Sequence, residues 1–159
     1  MCSSDLENLS KCFYTRRAEA ITWDPEIDIH DDEPPCLQRV WCRILEDPKK
    51  GLVLNMNTNW RSRDAYKAAF MNMFALTDLM KVIAERISGK IGEPVSVGRY
   101  FDYCDSYHIY GSYFDQFKGF LETLKTKTWE QRTYTSEFAE PFFEEARQKL
   151  SEDPETKPC

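Results

Sequence analysis

The dipeptide Pro35-Cys36 stands between two arginine clusters: Arg17 of the pair Arg16-Arg17 lies nineteen residues before the thiol, and Arg61-Ser62-Arg63-Asp64 begins twenty-five residues after it. A thiol on a loop with cations nearby can attack an electron-poor pyrimidine ring that carries a phosphate, because positive charge favours both the thiolate and an anionic substrate. The residues alone leave a plainer reading open, in which Cys36 is a small buried apolar side chain and the arginines are solvated surface.

Further residues extend the pattern. Asn59-Trp60 precedes Arg61-Ser62-Arg63-Asp64, Asn72 follows eight residues past the aspartate within a helical pattern, and His108-Ile109-Tyr110 comes later. Arginine pair, Pro-Cys, Arg-Ser-x-Asp, Asn and His-x-Tyr, in this order, resemble the catalytic half of thymidylate synthase and its pyrimidine nucleotide hydroxymethylase relatives. The resemblance implies that Cys36 is the nucleophile, adding to carbon 6 of a uracil ring and so making carbon 5 able to take a one-carbon unit. By the same resemblance Arg61 and Ser62 bind the phosphate, and His108 and Tyr110 bond the deoxyribose hydroxyl. Asn72 reads the uracil edge, where cytosine-specific relatives carry aspartate, and Asp64 orients the pterin of a folate. Arg16 and Arg17 reach the phosphate in the neighbouring subunit, which implies a homodimer.

The implied reaction converts dUMP to dTMP with 5,10-methylenetetrahydrofolate as cosubstrate and without a metal. Two alternatives stay open: a hydroxymethylase that uses the same thiol and folate but ends with water, and a non-catalytic nucleotide-binding or dimerisation module. Leu37 stands where a histidine commonly follows the family's cysteine. The polar end Lys157-Pro158-Cys159 stands where family enzymes close over folate with an apolar tail, and poor water exclusion would favour hydroxymethylation.

A chain of 159 residues is the size of one domain and long enough to bury a core. With 27 Asp and Glu against 21 Lys and Arg the net charge is -6, so no global attraction to nucleic acid or to an anionic membrane is expected, and anions must be held locally. Six cysteines and two histidines show no zinc-ligand spacing. No signal-peptide pattern or membrane-length apolar run is present, so reduced thiols in the cytoplasm are expected. Because the family has a substantial region before its arginine pair, the chain is expected to be an N-terminally truncated fragment. Residues 1–10 then read as a non-native or truncated start, 11–150 as a partial catalytic domain and 151–159 as a flexible tail.

The elements that must position these side chains are of two periods. Residues 17–23 read as a half-buried strand, and Asp24 to Glu33 with Pro34-Pro35 as an acidic loop. In residues 37–45, Val40, Cys42 and Ile44 alternate with Arg39, Trp41 and Arg43, so Cys42 reads as core. The turn Asp47 to Gly51 joins this strand to one over 52–60 as a hairpin. From Ala65 to about Ile87 the period becomes helical, with Phe70, Met73, Phe74, Leu76, Met80, Ile83 and Ile87 on the packed face, Asp64 as N-cap and Gly89 and Gly92 as the stop. A strand over 94–103 leading into 105–110, and helices over 113–124 and 138–150, complete an α+β chain with a mixed or mainly antiparallel sheet packed on a long amphipathic helix.

Overall fold

In the computed structural model of the chain, residues 3–152 are described. They form two compact units that divide between Ser112 and Tyr113. The first unit holds α1 (Ser3–Lys11), β1 (Glu19–Ile21), β2 (Leu37–Asp47), β3 (Gly51–Asp64), α2 (Ala69–Ile91) and β4 (Val95–His108). The second begins at Tyr113 and contains α3 (Phe114–Thr126) and α4 (Ser136–Glu152). The fold is thus α+β, with one mixed sheet in the order β1-β2-β3-β4. The tail expected from residue 151 lies, from 153 onward, outside the described residues.

β1, β2 and β3 run antiparallel, and β3 pairs with β4 in parallel through the α2 crossover. The β2–β3 turn follows from its residues. The Asp47 carboxylate accepts the backbone N–H groups of Lys49 and Lys50 at 2.9 and 3.0 Å, and Gly51 takes a φ of 71° that side-chain-bearing residues avoid. Alternation along β2 then buries Val40, Cys42 and Ile44 on one face, as the sequence pattern predicts. These join Leu54 and Met56 of β3, Leu76, Met80, Ile83 and Ile87 of α2, and Leu6 and Leu9 of α1 in one core. Burying an aliphatic side chain of this size contributes about 1.5–3 kcal/mol. The participation of α1, with Leu9 wholly buried, has no counterpart in the sequence expectations.

Several boundaries differ from those expectations. β1 spans only Glu19–Ile21, so neither Arg16 nor Arg17 lies on a strand. α2 begins at Ala69 rather than 65, because Asp64 caps a separate turn: its Oδ1 accepts the N–H groups of Tyr66 and Lys67 at 2.9 and 3.2 Å. Gly89 lies within α2, and the helix stops at Gly92, whose φ of 74° and N–H bond to the Ser88 carbonyl form a left-handed cap. Ser88 also joins helix to strand, its hydroxyl donating to the Ala84 carbonyl and accepting from the Val95 N–H. Phe70 and Phe74, expected on the packed face, are 71 % and 41 % exposed because they occupy the first turns of α2 away from the buried stripe.

Candidate active site

The antiparallel and parallel pairings together bring the start of β2 and the ends of β3 and β4 to one edge of the sheet. Cys36 is exposed in the bend immediately before β2. Its carbonyl accepts the Arg61 backbone N–H at 3.0 Å, which fixes the thiol loop to β3. The Arg61 guanidinium tightens this junction, Nε donating to the Pro35 carbonyl at 3.1 Å and Nη2 to the Pro34 carbonyl at 2.6 Å. Gln38 Nε2 donates to the same Pro35 carbonyl at 2.9 Å, and the Thr22 hydroxyl donates to the Leu37 carbonyl. Pro34-Pro35 therefore does more than extend the chain: its carbonyls are free to accept because no competing strand partner takes them.

Ser62 is one residue further along β3, and its hydroxyl lies 3.5 Å from His108 Nδ1 at the end of β4. The His108 ring packs edge-on against Tyr110 with centroids 4.8 Å apart. Asp64 pairs in register with His108, and the Ala65 N–H donates to the His108 carbonyl at 2.7 Å. Asn72 lies in the first turn of α2, half-buried, and among the described residues its side-chain amide makes no hydrogen bond. Cys36, Arg61, Ser62, Asp64, His108 and Tyr110 are thus gathered at one sheet edge, with Asn72 on the helix that leaves it.

Arg16 and Arg17 are not part of that gathering. Both are exposed in the loop before β1, where the Arg16 carbonyl accepts Trp41 Nε1 at 3.1 Å and the Ala18 carbonyl accepts the Cys42 N–H at 2.9 Å. Cys36 immediately precedes β2 and lies six positions before Cys42, so the arginine loop stands on the order of 20 Å from the thiol at about 3.3 Å per residue. The pair lines a separate concavity of about 550 Å³ with Lys11, Tyr14 and Thr15 among its walls.

The other thiols sit in different surroundings. Cys42 is wholly buried, and that burial pushes its pKa up to about 12, which keeps it a protonated, inert packing group. Burial also pushes up Cys104, whose thiol donates to the Ser106 carbonyl. Cys2 and Cys159 lie outside the described residues. Among the described residues no group of three or more His, Cys, Asp and Glu side chains is placed to hold a metal ion, and no helix is long and apolar enough to cross a membrane.

One part of the edge has no counterpart in the sequence expectations. Arg63, between Ser62 and Asp64, is only 6 % exposed and forms an ion pair with Asp102 of β4. Its guanidinium lies 4.8 Å from the Trp60 ring and 5.5 Å from the Tyr107 ring. Asp102 Oδ1 also accepts from the buried Thr58 hydroxyl at 2.6 Å and from Tyr100 at 3.3 Å, and Trp60 Nε1 donates to Thr58 at 3.3 Å. Burial pulls the Arg63 pKa down, but the hydrogen bond and charge of Asp102 outweigh it and raise it overall.

No protein-family model matches the chain. Curated archaeal relatives do. A protein of Methanothermobacter marburgensis named "Putative thymidylate synthase" is 35% identical over 113 residues, 71% of this chain and 46% of the relative. Proteins of the same name from Methanopyrus kandleri and Methanocaldococcus jannaschii are 42% identical over 81 residues and 36% identical over 110, covering 51% and 66% of this chain and 37% and 45% of theirs. The chain therefore spans less than half the length of these relatives. Over 51% to 71% of its own length, it is similar to these archaeal proteins named for thymidylate synthase.

Proposed function

We propose that the chain carries the nucleotide-activating part of a thymidylate synthase-like one-carbon transferase acting on dUMP. The observation that carries this reading is the exposed Cys36 thiol, fixed by Arg61 at the sheet edge where Ser62, Asp64 and His108 also end. A thiol so held can add to carbon 6 of the uracil ring, and the electron pair displaced to carbon 5 makes that carbon the nucleophile. The Arg61 guanidinium spends Nε and Nη2 on the loop carbonyls, so its part in phosphate binding falls to Nη1, and Ser62 is the next residue along β3. The unpartnered amide of Asn72 is suited to the donor and acceptor of a uracil edge, and the His108–Tyr110 pair to a sugar hydroxyl.

5,10-Methylenetetrahydrofolate supplies the carbon and the hydride and leaves as dihydrofolate. Asp64 fits a role toward it, since Oδ1 serves the turn and Oδ2 remains to accept a pterin N–H. The distance of Arg16 and Arg17 from Cys36 in the same chain supports their acting on a second copy, and hence a homodimer.

The test is covalent trapping with a 5-fluorinated dUMP and the folate, using the protein and its Cys36→Ser variant. A stable adduct is expected with the thiol and none with serine, while nucleotide binding persists in the variant. An adduct of equal yield in both would overturn the assignment of Cys36. Dihydrofolate released in equal amount with dTMP is the expected product pattern. A 5-hydroxymethyl nucleotide with tetrahydrofolate regenerated would establish the hydroxymethylase instead.

A further inference from the structure

Arg63 presents a physical puzzle. Its Nε and Nη1 are buried without a hydrogen-bond partner, although Nη2 is paired with Asp102. A buried charge with unsatisfied donors is a poor source of stability, and replacing a buried ion pair by apolar groups of similar volume is often neutral or stabilising. An arginine also brings more rotamer freedom to be lost than an aliphatic side chain would. What the pair does supply is geometry. Arg63 is in register with Tyr107, yet its guanidinium reaches back along the parallel ladder to Asp102, the register partner of Thr58. The ring of Trp60 and the ring of Tyr107 lie against it, so the planar group is held in orientation as well as position.

We propose that Arg63 and Asp102 are positioning residues, a diagonal clamp that fixes the last residues of β3 against those of β4. The clamp holds Ser62 opposite Ser106 and Asp64 opposite His108, because these flank Arg63 on the same strand and pair with the same segment of β4, where the Ser62 hydroxyl approaches His108. With both side chains largely buried, the pair offers little surface to a ligand. Their effect is on where the touching groups stand, and in that respect the inference rests on the dUMP reading given above.

The test replaces the pair by uncharged groups, Arg63→Met with Asp102→Asn, whose amide oxygen keeps an acceptor for the Thr58 and Tyr100 hydroxyls, and reads three quantities on the whole protein. The thermal midpoint is expected to stay level or rise. The NMR signals of the His108 ring are expected to move, since its contact with Ser62 depends on the clamp, and this measurement needs no ligand. The affinity for dUMP is expected to fall at least tenfold, and Arg63→Lys, which keeps the ion pair but not the planar stacking, to fall between the two. An unmoved His108 signal overturns the clamp. So does unchanged dUMP affinity in a variant whose parent binds dUMP, or a loss of affinity that merely tracks a loss of stability. A parent protein that binds no dUMP would refute the nucleotide reading, and the His108 signal alone would then decide the clamp.

Discussion

Asn72 combines half-burial with an amide that makes no hydrogen bond among the described residues, and a polar group so placed gains most when a ligand supplies both an acceptor and a donor. Replacing it by aspartate removes the donor while keeping the shape. Asn72→Asp is expected to move preference from dUMP toward dCMP, on the order of 100-fold or more in the ratio of kcat/KM, because an unpaired hydrogen-bonding edge discriminates strongly. Paired kinetics with the two nucleotides measure the change, and a parent enzyme that already favours dCMP would contradict the uracil assignment. At this scale the sequence was informative where chemistry is local. Cys42 could be read as core from strand alternation, whereas the residues alone left Cys36 open between a loop thiol and a buried one, and the structure makes Cys36 exposed and Cys42 buried. Arg63 could not be read in the same way. A charge beside another charged motif reads as solvated, and its burial depends on Asp102 and Tyr107, which lie about forty residues later and become neighbours only through a parallel pairing.

Among the elements, the ladder between β3 and β4 has one irregular point, between Leu54 and Met56, where β4 contributes Gly98 and Arg99 opposite Asn55. The Asn55 side-chain oxygen accepts the Arg99 N–H at 2.8 Å. A Cβ on Gly98 would come within 2.7 Å of that oxygen and 2.8 Å of the Leu54 carbonyl, and the second of these is backbone that cannot swing aside. Gly98→Ala is therefore expected to destabilise the protein by about 1–3 kcal/mol, measured by denaturant unfolding. The hairpin, the long helix and the final pair of helices were all legible from periodicity and turn residues. The start of α2 was not, because Asp64 carries the signature of a helix cap but satisfies an intervening turn. Nor was the direction of β4. Its alternation is the same for parallel and antiparallel pairing, and only the helical segment before it hints at a crossover.

For the whole molecule, the separation between the arginine loop and the thiol edge makes a prediction about assembly. If each site takes its arginines from a second copy, a chain with Arg17→Ala and a chain with Cys36→Ser should each lack activity alone and regain part of it when unfolded together and refolded as a mixture. Steady-state rates of the mixture measure this, and a mixture no more active than its components would place the arginines outside the site. The parallel pairing has a different consequence, for the order in which the site comes into being. β2 and β3 meet across a three-residue turn, whereas β4 can join β3 only after the crossover of residues 65–94 has closed. Closing the longer loop costs more chain entropy and makes that contact the slower one to form. The thiol and Arg61 are thus brought together by a local event, and His108 and Tyr110 arrive by a non-local one. On a chain synthesised from its N-terminus, the Cys36 loop can therefore be joined to β3 before the strand that carries His108 has docked.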